Sequence, residues 1–135
     1  MKLKQIIGYF IVLLALLFSI QPAIAQNVSK KTYEQIFQQE NLTQLNKYLN
    51  STIELKTPSK EGSFSKKQTG LILKKYFAKH PVKDFKIKRV GTFPDGSAFY
   101  LCEMTEKSGN NYRVYFVSKE TSGQWLINIL KIEKS

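Results

Sequence analysis

The sequence predicts an α+β fold in which N-terminal helices pack on a curved antiparallel sheet. Two observations predict it. Helical periodicities and capping signals occupy the chain up to His80, and alternating strand patterns joined by short turns occupy the rest. Sequential strands with no intervening helix pair as an antiparallel meander, so helices followed by strands indicate an α+β layout.

The first 25 residues have the three parts of a secretory leader. Lys2 and Lys4 are positive, residues 6–20 are apolar, and Ala23-Ile24-Ala25 is a small-x-small cleavage site. A retained membrane anchor is the alternative, but the apolar run is shorter than the ~20 residues that span a bilayer. The sequence therefore predicts a signal peptide over 1–25 and a single domain over 26–135. The product is expected to be periplasmic or secreted, with no membrane span after cleavage.

Capping signals mark the helices of the domain. Three pairs have the spacing at which an N-cap side chain and the residue three positions later satisfy each other's backbone amides. They are Thr32–Gln35, Asn41–Gln44 and Ser65–Gln68. The third pair opens the clearest helix, which presents Tyr76 on its apolar face and ends at His80-Pro81 because the residue before a proline leaves the helical region.

Strand patterns are short before this helix and long after it. Residues 52–56 predict a short strand, and Lys60–Ser63 is interpreted as a turn. The later strands are residues 84–90, with Phe85, Ile87 and Arg89 on one face, then 98–105, 112–117 and 125–133. Asp95 lies in a Pro-Asp-Gly turn and is predicted to organise that turn.

The order of these elements resembles the nuclear transport factor 2-like superfamily, which includes ketosteroid isomerase and cystatin-like folds. Within it, the chain is similar to a small family of exported bacterial proteins of unassigned function. The resemblance rests on Ile53-Glu54-Leu55, Glu61 to Gln68, Tyr112-Arg113-Val114-Tyr115 and Leu130-Lys131-Ile132-Glu133. It implies a cone-shaped domain with a pocket between sheet and helices. It implies no reaction, because this fold supports both enzymes and binding modules.

Cofactor and metal chemistry find little support in the chain. Cys102 is the only cysteine and lies in a strand pattern, so it is predicted to be a small buried hydrophobic residue. His80 is the only histidine and is expected to be an exposed helix cap. The chain has no metal-ligand spacing, phosphate-binding loop or nucleophile elbow. No cofactor and no metal site are predicted.

The candidate binding residues come from the last three strands. One hairpin register would set Glu103 opposite Arg113, where a cross-strand ion pair is the simplest interpretation, and a slip of one residue would set Glu103 opposite Val114 instead. The alternative is functional: Arg113 and Tyr115 face into the cone and bind an acidic or carbonyl-bearing ligand, with Glu103 in support. Three aromatic residues are predicted to be core or to line the same pocket: Tyr76, Tyr100 and Trp125.

The net charge of +11 limits the kinds of partner that the protein is expected to bind. The cations are nearly all lysines, which together could form one basic edge from residues 74–79 and 83–89. Sequence-specific nucleic-acid recognition favours arginine, and an exported protein meets little nucleic acid, so nucleic acid is not expected as a partner. Anionic surface polymers and lipid headgroups stay open as alternatives.

These observations favour a non-enzymatic module that binds a small ligand or a protein partner. A homodimer through the exposed face of the sheet is a further expectation. A cofactor-free enzyme of the isomerase or dehydratase type is the alternative, and it would require ionisable groups buried inside the cone.

Overall fold

The computed structural model describes residues 3–18 and 27–135, and its elements follow the predicted order, except that two strands and not one precede the last helix. The helices are α1 (Leu3–Phe18), α2 (Lys30–Gln38), α3 (Leu42–Asn46) and α4 (Lys66–Lys79). The strands are β1 (Leu49–Thr57), β2 (Lys60–Ser65), β3 (Val82–Thr92), β4 (Ala98–Glu106), β5 (Asn111–Thr121) and β6 (Gln124–Lys134). The predicted α+β class is confirmed.

The six strands form one sheet in the order β2-β1-β6-β5-β4-β3. Strands β3 to β6 are the predicted antiparallel meander, and β2 pairs antiparallel with β1. Strand β1 pairs with β6 in parallel, with the buried Leu55 beside the buried Leu130. The helices α2 and α4 pack on the sheet, and we call the face they cover the inner face and the opposite one the outer face.

Helix α1 coincides with the apolar part of the predicted leader. Its side chains from residue 3 to residue 14 are exposed. The predicted cleavage site at residues 23–25 lies outside the described residues. None of the described helices combines the length and the apolar character that crossing a membrane requires.

Two of the three predicted caps are confirmed. The side chain of Asn41 caps α3, and Ser65 with Gln68 forms a complete capping box on α4. The prediction for α2 was wrong by one helical turn. Ser29 is the cap, and its hydroxyl accepts a hydrogen bond from the Thr32 amide at 3.2 Å. Both residues are good caps, so residue type and spacing could not distinguish them.

The prediction of a turn at Lys60–Ser63 was also wrong. These residues belong to β2, which pairs residues 60–65 with residues 57–52 of β1. Gly62 and the flanking polar residues have low strand propensity, but pairing with β1 overrides it. The reversal instead occurs at Pro58 and Ser59, where Thr57 Oγ1 accepts a hydrogen bond from the Lys60 amide.

A bulge in β3 changes the predicted face of one residue. Phe85 and Ile87 are buried as expected, but Arg89 is exposed. The register shifts between Ile87, opposite Cys102, and Arg89, opposite Leu101. One additional residue in a strand moves every later side chain to the other face, which the alternation of the sequence does not reveal.

Aromatic rings fill the space between the helices and the inner face. The fully buried Tyr33 of α2 packs edge-on against Tyr48, Tyr100 and Phe116, with ring centroids 4.9–5.8 Å away. Phe37 stacks on Phe85 at 4.5 Å. The interior around Tyr33 is therefore a packed core.

Candidate functional site

The three main candidate residues lie together on the outer face. Strand pairing places Glu103, Arg113 and Glu133 in one row across β4, β5 and β6, and Leu101, Tyr115 and Lys131 in the next row. These six residues, together with Lys88 of β3, line a shallow depression of about 390 Å³, which we call the outer groove.

The alternation of β5 explains why this site is on the outer face. Tyr112, Val114 and Phe116 are buried on the inner face, so Arg113 and Tyr115 between them point the opposite way. The expectation that Arg113 and Tyr115 face into the cone was therefore wrong.

The predicted register of Glu103 opposite Arg113 is confirmed, but the ion pair between them is not formed. The Glu103 carboxylate instead lies 3.7 Å from the Nζ atom of Lys88. Lys88 is the residue at which the register of β3 shifts, and its residue type does not indicate such a shift.

Arg113 lies between two carboxylates that have other partners. Glu103 is paired with Lys88, and Glu133 with Lys56 of β1 at 2.9 Å. The hydrogen bond from Lys56 is the main cause of the lowered pKa of Glu133, and Arg113 lowers it further through its charge alone. Among the described residues, the Arg113 guanidinium has no hydrogen bond or ion pair of its own. Its donors are available to a ligand.

The remaining three candidate residues lie elsewhere. Tyr100 is buried in the core, where its hydroxyl donates to Asn27 Oδ1 at 3.1 Å and its ring stacks on Phe116 at 4.5 Å. Tyr76 is buried on α4, and Trp125 is partly buried at the start of β6, opposite Glu120. The six predicted residues therefore do not surround one pocket.

The sequence interpretation missed a buried carboxylate at the end of β4. The Glu106 side chain is only 4% exposed and contacts three polar side chains. It accepts hydrogen bonds from Ser108 and Asn110 at 2.5 Å each, and His80 Nδ1 lies 2.8 Å from its other oxygen. The hydrogen bonds from Ser108 and Asn110, followed by His80, lower the pKa of Glu106 to about 2. We call this group the hairpin-end cluster.

Two tyrosines adjoin the hairpin-end cluster. Tyr76 stacks on the His80 ring at 4.7 Å, and Tyr112 meets the same ring edge-on at 6.2 Å. Burial raises the pKa of both tyrosines. The Tyr76 hydroxyl is buried without a hydrogen-bond partner among the described residues, although Tyr112 is near enough to contribute to its raised pKa.

The hairpin-end cluster is suited to holding two structural elements together and poorly suited to proton transfer. A general base works best with a pKa near the working pH, and that of Glu106 lies far below neutrality. The cluster connects the end of α4 to the β4–β5 turn, an attachment reinforced by the Lys107 amide bond to the Pro81 carbonyl at 2.8 Å. His80 does cap α4 as predicted, but its ring is only partly exposed because Glu106 holds it.

The smaller predictions about single residues can also be compared with the structure. Cys102 is buried as predicted, and burial raises the pKa of its thiol, which disfavours the reactive thiolate. Asp95 organises its turn by accepting hydrogen bonds from the amide and hydroxyl of Ser97. Within residues 3–18 and 27–135, no three His, Cys, Asp or Glu side chains are grouped so that they could hold a metal ion.

The model of one protein family matches residues 30–133, which is nearly the whole of the folded domain. The family is described as a domain of unknown function, DUF4783. The chain belongs to this family. A comparison with curated proteins gives no match.

Solved structures confirm the fold. A DUF4783 protein from Bacteroides fragilis has 22% identity and a TM-score of 0.72, covering 82% of this chain and 100% of its own. A second, from Bacteroides uniformis, has 24% identity and a TM-score of 0.72, covering 81% and 98%. A nuclear transport factor 2-like protein from Cytophaga hutchinsonii has 14% identity and a TM-score of 0.60, covering 78% and 91%. The resemblance to a family of unassigned function with this fold is confirmed.

Proposed function

We propose that the protein is an exported, non-enzymatic interaction module that binds a carboxylate-bearing segment of a partner protein in the outer groove. The observation that carries this proposal is that the Arg113 guanidinium has no hydrogen-bond or ion-pair partner among the described residues. The guanidinium is exposed between two carboxylates that already pair with lysines. Guanidinium donors match a carboxylate in a two-pronged geometry, which makes arginine the side chain best suited to such a partner.

The surroundings of Arg113 favour a protein partner over a small molecule. Pockets for small molecules bury most of the ligand surface, whereas Glu103, Arg113 and Lys131 are exposed and the outer groove is shallow. Arginine and tyrosine are enriched where protein partners bind most strongly, and Arg113 and Tyr115 stand two residues apart on β5.

An apolar row next to the outer groove supports the same choice. Phe99 and Ile129 are partly exposed on the outer face, on either side of the buried Val117 with which both pair. The Phe99 ring covers Gly91, where even an added Cβ would come within 2.1 Å of the ring. An apolar strip beside charged groups matches the core and rim of a protein interface.

Export is the second part of the proposal. The described side chains of the apolar α1 are exposed, whereas Asn27 contacts the domain, since its side chain accepts the hydrogen bond of Tyr100. This contact follows the predicted cleavage site by two residues, so cleavage would leave the domain complete. The intact mass of protein recovered from the exported fraction is expected to correspond to a chain that begins at Gln26.

The binding site can be tested by an NMR titration of the exported protein with a short glutamate-rich peptide. A glutamine-rich peptide of the same length is the control ligand. We expect the acidic peptide to shift amide resonances of β4, β5 and β6 around Arg113 and the glutamine peptide to leave them unchanged. Arg113→Ala should abolish these shifts, and Arg113→Lys should weaken them because lysine cannot form the two-pronged contact.

Arg89→Ala is the matched control, because it removes the same charge from the exposed part of neighbouring β3. It should bind the acidic peptide as the wild type does. Binding that is unchanged in Arg113→Ala, or equally weakened in Arg89→Ala, would refute the site.

A further inference from the structure

Helix α4 carries a charge pattern that the fold does not require. It contains five lysines and no acidic residue: Lys66, Lys67, Lys74, Lys75 and Lys79. The ion pairs of the described residues involve Lys56, Lys88 and His80, so none of the α4 lysines is neutralised. Only Lys79 lies in the last turn, where a cation stabilises the helix dipole. Like charges at positions 75 and 79 are mildly destabilising, so the pattern has a cost in stability.

The structure separates these lysines from the other basic residues. Helix α4 packs on β1 and β2, whereas the lysines of β3 lie at the opposite edge of the sheet. The single basic edge expected from the sequence is therefore two regions, and one of them is centred on α4.

Leu71 is the centre of the basic region. It is 54% exposed, although it lies in the middle of α4. Lys67, Lys74 and Lys75 are its neighbours on the helix surface, at spacings of three or four residues. Shallow grooves run along both sides of Leu71, and Lys60 of β2 adds a further cation to one of them. No aspartate or glutamate lines either groove.

We propose that this face of α4 is a docking surface for membranes rich in anionic phospholipids. A flat array of lysines is attracted to a negatively charged bilayer surface, where each lysine contributes about a fivefold gain in affinity. An exposed leucine among these lysines can enter the boundary between headgroups and acyl chains. Lysine is suited to this diffuse attraction, whereas recognition of one defined anion favours arginine.

Vesicle co-sedimentation of the exported protein tests the docking surface. The wild type is expected to bind vesicles of phosphatidylcholine with phosphatidylglycerol, to ignore pure phosphatidylcholine, and to dissociate as salt screens the charges. The double variant Lys67→Glu/Lys75→Glu should lose at least about twenty-fivefold in affinity, since two attractions are removed and two repulsions added. Leu71→Ser should lose about tenfold at unchanged charge.

A matched double variant removes the influence of net charge. Lys31→Glu/Lys119→Glu changes two exposed lysines outside α4 by the same amount, and it should keep binding within about twofold because neither side chain lines the grooves beside Leu71. Thermal unfolding of every variant checks that the fold is intact. Equal losses in the two double variants would show diffuse attraction only and overturn the proposal. Failure of the wild type to bind the anionic vesicles, including the case in which it binds heparin instead, would overturn it as well.

Discussion

The two strands of the β4–β5 hairpin each carry a charged side chain, and the two side chains differ in burial and in their partners. Glu106, at the end of β4, is buried and has all of its hydrogen-bond partners within the chain. Arg113, on the outer face of β5, is exposed and has none among the described residues. A buried charge must be satisfied internally to be tolerated, whereas an exposed charge can be left for a partner.

The comparison indicates that a charged group whose partners all lie within the chain has a structural role, whereas a charged group without partners is a candidate for binding. The perturbed pKa of Glu106 would draw attention to it as a catalytic candidate, because such shifts concentrate at functional sites. Its partners instead join α4 to the β4–β5 turn. The ordinary surface residue Arg113 is the better candidate for binding.

Replacing neighbouring aromatic residues on opposite faces of β5 should give the largest contrast. Phe116→Ala removes a fully buried ring and should lower the free energy of unfolding by about 3–5 kcal/mol. Tyr115→Ala, one residue earlier on the partly exposed outer face, should lower it by about 1 kcal/mol. Urea unfolding measures both changes. Similar losses from the two variants would mean that the outer face contributes to the core as much as the inner one.

The pH dependence of stability should reveal the role of Glu106. Its pKa falls from 4.5 to about 2 on folding, so the unfolded chain binds more protons between these values and the folded state gains stability as pH rises. This contribution is present above about pH 4.5 and is lost as pH falls toward 2. Glu106→Gln should lower the thermal midpoint at neutral pH by roughly 5–10 °C and flatten the acid dependence. The control is Glu103→Gln, which changes an exposed carboxylate of the same strand and should leave the thermal midpoint and its dependence on pH nearly unchanged. If both variants lost the acid dependence equally, Glu106 would not be its source.

The sequence was sufficient for most of the fold because that information is local. Alternation identified the four strands of the meander, and side-chain spacing identified the caps at Asn41 and Ser65. Strand β2 was missed because its residues form a strand only through pairing with β1. The bulge after Ile87 was missed because a local change of register leaves no mark on residue type.

The candidate site was predicted in composition but not in orientation. Glu103, Arg113 and Tyr115 do lie together, because the hairpin has the register that sets Glu103 opposite Arg113 and not the one-residue slip that the sequence left open. Which face they share depends on where the helices pack, and a strand pattern alone does not specify this. Glu106 was missed because its burial and its contact with His80, 26 residues away in sequence, arise only in the folded chain, although Ser108 and Asn110 lie within four residues of it.

The variant with the smallest expected effect on stability is the most direct test of whether Arg113 is available for binding. Lys88→Ala removes an exposed ion pair whose side chains are 53% and 68% exposed, so the free energy of unfolding should change by less than about 0.5 kcal/mol. Peptide binding should nevertheless weaken, because the released Glu103 carboxylate stands directly opposite Arg113 and can occupy its guanidinium. The double variant Lys88→Ala/Glu103→Ala should then recover the affinity in the NMR titration. If the double variant binds no better than Lys88→Ala, Lys88 contacts the partner itself. The carboxylates around Arg113 would then not control whether its guanidinium is available for binding.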